Sequence, residues 1–188
     1  MNIHQLSVSY QLEQDRILVQ ISTHNGEALR LWLTRRLVVN LFPHLNQAAT
    51  NAETGNSELA DHDDLAKKVL MEFKKQALID QGDFKTPFKT DATVFPLGAE
   101  PLLVTSIYLT PAGNGALRIG FEEKLAETIK PRGFEITMES PLLLSFMHFL
   151  ESAIKLSDWG ILLLPGHNAN EEDADEKPKS SAPVRYLN

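Results

Sequence analysis

Residues 17–33 read ILVQISTHNGEALRLWL, and this stretch decides the fold. In each of its two halves every second side chain is a large aliphatic one, which is typical of a strand that buries one face. The Asn25-Gly26 pair between them predicts a hairpin with a type I′ turn, because Asn and Gly both accept positive φ angles. A third alternating run, at residues 6–12, precedes this hairpin. We therefore predict an N-terminal meander of three antiparallel strands.

A helix is predicted directly after the meander. Apolar residues between positions 37 and 45 recur at helical spacing behind Thr34, which is a suitable N-cap. Pro43 lies inside this pattern, and an interior proline removes a hydrogen-bond donor and crowds the preceding turn. We therefore expect a kink or an early stop there, followed by a mobile loop or linker at residues 46–60. A second helix, capped by Asp61, is predicted at residues 61–79.

The C-terminal half repeats this order. Three alternating runs predict a second meander, at residues 102–109, 117–121 and 134–138. Ser140-Pro141 then opens a helix at residues 141–156, with Ser as the cap and Pro in the first turn. A short edge strand is expected near residues 93–95, in the extended connection that precedes the meander. A shift of 105 residues superposes the apolar positions of the two strand–helix junctions.

The predicted fold class is α+β, with two antiparallel strand-meander-plus-helix units in the order βββα–α–(β)βββα. An internal duplication would explain the repeated order, and the general similarity of strand–helix junctions would explain it equally. We expect one domain at residues 1–165, with pseudo-repeat halves at 1–50 and 101–156 and a helix-containing connector at 51–100. Acidic residues followed by Lys, Pro and Ser predict a disordered acidic tail at residues 166–188.

The composition restricts the classes of function. The 188 residues include no cysteine, which excludes disulfides, thiol nucleophiles and cysteine-ligated zinc. The net charge of −7 disfavours a role in duplex nucleic-acid binding, since such footprints are usually basic. The N-terminus lacks the features of a signal peptide, and the apolar runs are too short to span a bilayer. We therefore expect a cytoplasmic protein that makes no membrane contact.

No catalytic motif is recognisable. The six histidines have no zinc-binding spacing, and the nucleophile-elbow, Walker A and dinucleotide-binding patterns are missing from the sequence. The run at residues 61–64, Asp-His-Asp-Asp, is interpreted as a helix N-terminus where acids complement the macrodipole, rather than as a metal site. The acid pairs Glu122/Glu123 and Glu135/Glu139 are interpreted as solvent-facing strand positions. We assign no catalytic, metal-binding or cofactor-binding residue and expect no cofactor, while an enzyme of unfamiliar design stays an alternative.

Two surface features suggest that the chain binds a partner. One is a lysine-rich flank of the second helix, which is otherwise a solvated helix face. The other is Trp32 beside arginines on the polar side of the third strand, a combination suited to base stacking or to a protein hot spot. Trp32 would instead be structural if the other half of the molecule, or Trp159, covers it. The candidate partner-binding residues are Arg30, Trp32, Arg35, Arg36, Lys67, Lys68, Lys74 and Lys75.

The last predicted helix is apolar nearly all round its first two turns. Such a helix is either buried in the core or buried at a subunit interface, and we expect the chain to form a homo-oligomer through it. The candidate interface residues are Leu143, Phe146, Met147, Phe149 and Leu150.

At the level of topology only, the predicted order resembles the strand-meander-plus-helix repeat of the Whirly and PC4-like single-stranded nucleic-acid-binding fold. The basic motifs of that family are missing from this sequence, and a shared fold does not carry function. Our main hypothesis is a non-enzymatic binding or protein-interaction module that acts as a homo-oligomer or with a protein partner. A single-stranded nucleic-acid-binding protein is the alternative. Either way, we expect the ligand on the Arg30/Trp32 sheet face or in a groove between the two halves.

Overall fold

The computed structural model describes residues 3–54, 64–81, 88–89, 94–113, 115–124 and 131–160. Within these residues seven strands and three α-helices follow one another in the predicted order, so the α+β class is confirmed. The first unit contains β1 (Ile3–Gln11), β2 (Arg16–Thr23), β3 (Ala28–Thr34) and α1 (Arg35–Thr54), and α2 (Asp64–Gln81) follows it. The second unit contains β4 (Leu102–Leu103), β5 (Ser106–Pro111), β6 (Leu117–Glu123), β7 (Arg132–Met138) and α3 (Ser140–Ser157).

The first sheet has the strand order β1-β2-β3-β4. The alternation noted in the sequence sets its two faces: Ile17, Val19 and Ile21 of β2 are buried, as are the leucines of β3 that lie opposite them. β1, β2 and β3 pair in antiparallel fashion, whereas β4 runs parallel to β3. The predicted extra strand near residues 93–95 is reduced to a single bridge, between Val94 and Glu27.

The hairpin between β2 and β3 differs from the prediction in its turn. Gly26 has a φ angle of +75°, but Asn25 is not among the described residues with positive φ, so the turn is not of type I′. Thr23 N–H donates to Glu27 O (3.0 Å) and Gly26 N–H to Thr23 O (3.1 Å), which leaves three residues in the loop. A three-residue loop needs only its last residue in the left-handed region, and glycine supplies it.

The two sheets are joined by one continuous run of chain. Leu102 and Leu103 pair with Leu31 and Trp32 of β3, and Val104 N–H donates to Trp32 O (3.1 Å). The chain then continues as β5, which pairs with β6 in the second sheet, of order β5-β6-β7. The same extended segment therefore belongs to the first sheet at its start and to the second sheet at its end.

Glu123 holds this junction together. Its carboxylate accepts hydrogen bonds from Leu103 N–H (3.2 Å) and from Arg132 Nε (2.8 Å), and it forms an ion pair with the Arg132 guanidinium. Arg132 also donates to Leu97 O (2.9 Å). The interpretation of Glu123 as a solvent-facing acid is therefore wrong, since its side chain is only 6% exposed. Glu123 follows the buried Leu117, Ile119 and Phe121 of β6 at a spacing of two, so it lies on the inner face of the strand.

α1 continues past Pro43 to Thr54, so the expected early stop, and the loop assigned to residues 46–54, are wrong. Thr34 is the N-cap as predicted, because its Oγ1 accepts a hydrogen bond from Leu37 N–H (3.4 Å). Pro43 cannot donate to the carbonyl of Val39, but both residues lie on the exposed side of the helix. Water can satisfy that carbonyl, and this is why the proline is tolerated. Residues 55–60, the rest of the predicted loop, lie outside the described residues.

The predicted apolar stripe of α2 does not face the core. Leu65, Val69 and Phe73 are 67%, 62% and 72% exposed, whereas Met71 and Leu78 pack against the core. Lys75 lies on the packed side and forms a 2.5 Å ion pair with Glu151 of α3, in which the side chains are only 11% and 17% exposed. A lysine can occupy such a position because its aliphatic stem packs while its ammonium reaches a carboxylate.

The helices of the two units are exchanged across the sheets. α3 contacts β1 of the first sheet more extensively than β7 of its own unit, and α1 contacts β5 and β6 of the second sheet as well as its own β3. One core cluster therefore contains residues of both sheets and all three helices. α3 begins at Ser140, and Glu139 rather than Ser140 is its N-cap. Internal duplication of the two units stays a prediction.

The predictions for the tail, for a membrane span and for the pseudo-repeat halves can be compared with the structure only in part. The tail predicted at residues 166–188, and the boundary at 165, lie outside the described residues. No helix among the described residues combines the length and the apolar character that a membrane span needs. The division into pseudo-repeat halves at 1–50 and 101–156 stays a prediction as well.

Candidate functional site

A groove of about 710 Å³ lies between the two units, with α1 as one wall and β5 and the β5–β6 turn as the other. Along α1, its lining residues recur every three or four positions from Leu37 to Asn51, so they form a stripe on one side of the helix. From β5 the groove receives Ile107 and Leu109, which are partly buried and pack on the core. One of the two ligand surfaces predicted from the sequence is a groove between the halves, and this groove lies there.

The lining of the groove has two chemical layers. Its floor is apolar and is formed by Leu37, Leu41, Ala48, Ile107, Leu109 and Leu117. Its rim on α1 consists of exposed side chains that can donate and accept hydrogen bonds, namely Asn40, His44, Gln47 and Asn51. This arrangement suits a ligand that is apolar towards the floor and offers donors and acceptors towards the rim.

The described lining contains no Asp, Glu, Lys or Arg, although these four residue types make up 23% of the chain. His44 is the one histidine of the described lining, and no carboxylate in that lining can orient its imidazole. The groove therefore offers neither a charge partner for an ionic ligand nor an acid–base pair for catalysis. Its chemistry fits an uncharged ligand.

The Arg30/Trp32 face is partly used by the fold itself. The guanidinium of Arg30 lies over the Phe95 ring, 4.6 Å from its centroid, and donates to Ala99 O. Trp32 is half-buried on the outer face of the first sheet, in register with Leu18 and Leu103. Arg30 thus anchors the segment before β4, so fewer of its N–H donors and less of its guanidinium surface can contact a nucleic-acid base.

Trp159 does not cover Trp32. Its indole Nε1 donates to Asp15 (2.6 Å), and its ring packs edge-on against Tyr10 with centroids 5.8 Å apart. Tyr10 is in register with Ile17 of the buried face, so Trp159 lies on the opposite side of the first sheet from Trp32. The hydrogen bonds from Trp159 and from Tyr10 lower the pKa of Asp15.

The other candidate partner-binding residues lie in separate surroundings. Arg35 and Arg36 are exposed in the first turn of α1. Lys74 and Lys75 are half-buried on α2, and Lys75 is bound to Glu151 rather than available to an anionic partner. The side chains of Lys67 and Lys68 lie outside the described part of the structure. A binding role for these residues stays a prediction.

The candidate oligomer-interface residues on α3 lie mostly in the core of the single chain. Four of them are 0–3% exposed, namely Leu143, Phe146, Met147 and Leu150, while Phe149 is half-buried. Packing within one chain accounts for their apolar character without a second subunit. Beside them, partial burial lowers the pKa of His148, and the nearby Lys75 ammonium adds to this effect while Glu151 opposes it.

No protein-family model, curated protein or solved structure matches this chain. Within the described residues, no group of three or more His, Asp or Glu side chains could hold a metal ion. Of the run at residues 61–64, the structure describes only Asp64, so the interpretation of this run as a helix N-terminus stays a prediction. The groove is therefore interpreted from its own geometry.

The rim residues of the groove are not among the candidate residues predicted from the sequence. Asn40, His44, Gln47 and Asn51 recur at helical spacing beside the apolar stripe of α1, and this amide-rich row was the available signal. It was hidden because the helix was expected to end near Pro43, which would have placed Asn51 in a loop.

Proposed function

We propose that this chain is a non-enzymatic binding module that holds an uncharged, largely apolar ligand in the groove between α1 and β5. The observation that carries the proposal is the complete lack of charged side chains in the described lining, in a protein with a net charge of −7. A charged ligand group would lose its hydration there without gaining a partner, which is costly. An apolar ligand gains from burial against the leucine floor.

Charge introduced at the rim is expected to weaken this binding. In the whole chain, Asn40→Arg should weaken the affinity for Nile red, a neutral apolar dye, by about ten-fold or more, since the guanidinium must stay hydrated at the mouth of the groove. Fluorescence titration measures the effect, because the dye emits strongly only in apolar surroundings.

Val39→Arg is the matched control for this experiment. Val39 is the neighbouring residue on α1, is exposed, and lies outside the described lining, so the same added charge should change the affinity by less than about two-fold. Equal effects of the two substitutions, or no saturable binding by the native chain, would contradict the proposed function.

We also propose that the chain self-associates, and that the exposed stripe of α2 forms the contact. Leu65, Val69 and Phe73 lie on successive turns, so two antiparallel copies related by a two-fold axis near Val69 would place Leu65 of one against Phe73 of the other. This surface replaces the α3 residues as the candidate interface, because most of those are buried within the chain.

Light scattering should give a dimer for the native chain and a monomer for Phe73→Glu, since the substitution places a carboxylate against the apolar Leu65 side chain of the other copy. Leu156→Glu is the control, because Leu156 is equally exposed but belongs to α3. A native chain that stays monomeric at high concentration would refute this proposal. Binding to single-stranded nucleic acid, an unfamiliar enzymatic activity and a cytoplasmic location stay predictions.

A further inference from the structure

We infer that the ligand of the groove is an extended peptide segment that adds as a strand to the free edge of β5. This inference rests on the proposed function, which assigns an uncharged apolar ligand to the groove. It goes further by naming the class of ligand and the backbone atoms that hold it.

The strand pairing shows where the edge is open. β3 pairs with the chain at Leu102 and Leu103 and accepts one more hydrogen bond from Val104 N–H before it ends at Thr34. Beyond that point the chain continues as β5, whose one paired strand in the described structure is β6. Among the described residues, no strand therefore pairs with β5 on the side where β3 pairs with β4. An edge strand presents unpaired N–H and C=O groups on such a side.

The groove borders β5, the strand that carries this edge. On one side it is lined by Thr105, Ser106, Ile107, Leu109 and Pro111, and on the other by the α1 stripe from Leu37 to Asn51. The six residues of β5 span about 20 Å at the rise of a strand, and the α1 stripe spans about 21 Å at the rise of a helix. Both walls therefore have the length of an extended segment of about six residues. Pro111 has no N–H group, so the ladder should end before it.

The lining specifies the side chains of this segment. In a strand, alternate side chains point to opposite faces, so every second residue should face the floor formed by Leu41, Ile107 and Leu109 and should be apolar. None of the segment's residues inside the groove should be charged, because no described lining residue carries an opposite charge. The carboxamides of Asn40, Gln47 and Asn51 can form hydrogen bonds with the backbone N–H and C=O groups of the segment that face away from β5, since each carboxamide carries both donors and an acceptor.

Backbone methylation tests the inference directly. A library of random ten-residue peptides displayed on phage is selected against the whole chain, and peptides whose binding falls with Asn40→Arg but not with Val39→Arg are synthesised. Each is then made in two versions, N-methylated on alternate amides with opposite parity. Alternate N–H groups of a strand point to opposite edges, so one version blocks the donors that face β5 and the other blocks those that face away.

We expect one methylated version to bind at least about ten-fold more weakly than the parent and the other to bind within about three-fold, as measured by calorimetry. Equal effects of the two versions would show that side chains alone hold the peptide and would overturn strand addition. Failure to select any peptide sensitive to Asn40→Arg would also overturn it. In both cases a saturable, Asn40-dependent response to Nile red would leave the proposed function standing.

Discussion

Glu123→Ala is expected to lower the free energy of unfolding by about 3 kcal/mol, the cost of breaking a buried ion pair from one side. The substitution removes the acceptor of Leu103 N–H and the carboxylate oxygen that accepts from two nitrogens of the Arg132 guanidinium, at the junction of the two sheets. Arg132 is 46% exposed and can recover water, which keeps the loss at the lower end of the range for buried pairs. Urea denaturation measures it.

The control for this prediction is Glu135→Ala, on the neighbouring strand. Glu135 is exposed, so its removal should change the stability by less than about 0.5 kcal/mol. Glu123→Gln should fall between the two, because the amide oxygen still accepts from Leu103 while the charge is lost. If Glu123→Ala unfolds at the same urea concentration as the native chain, the carboxylate does not stabilise the junction of the two sheets.

Gly133→Ala is expected to destabilise the protein by about 2 kcal/mol, because overpacking forces the backbone to shift. A Cβ at Gly133 would lie 2.4 Å from the carbonyl oxygen of Phe121 on the paired strand, and a backbone oxygen cannot move aside as a flexible side chain can. The pairing of β6 with β7 would have to open at this point, and thermal unfolding should register the loss.

Gly120→Ala is the matched control in the same pair of strands. The nearest atom to a Cβ at Gly120 is a Tyr108 ring carbon at 3.5 Å, an ordinary contact, and the added methyl reduces the entropy of the unfolded chain. We expect a change of less than about 1 kcal/mol. Gly133 lies outside the described groove lining, so the folded fraction of Gly133→Ala should keep its Nile red affinity, which separates stability from binding. Equal destabilisation by the two alanines would contradict the steric argument.

The strands were predictable because alternation and burial coincide in this chain. Ile17, Val19 and Ile21 point to a core that covers one face only, and their period of two carries that information in the sequence. The end of α1 was not predictable in the same way, since the cost of Pro43 depends on whether water reaches the carbonyl of Val39. That depends on the tertiary fold, in which both residues are exposed.

The candidate sites were less predictable than the fold. α2 has apolar residues on two sides, and periodicity alone cannot decide whether Leu65, Val69 and Phe73 or Met71 and Leu78 face the core. The ion pair of Lys75 with Glu151 lies on the packed side, and these two residues are 76 positions apart and meet only in the folded chain. The groove likewise lies between α1 and β5, so the amide-rich row of α1 can indicate one wall in the sequence but not the strand that faces it.

The exchange of helices across the sheets has a consequence for the order of folding. The inner face of β1 is covered by α3, and the bond between Trp159 and Asp15 closes a loop of 144 residues. During synthesis the inner face of β1 therefore stays uncovered by α3 until that helix has been made. Contacts so distant in sequence are formed late and slowly. We therefore expect the first meander to complete its folding only together with α3, and not as an independent half.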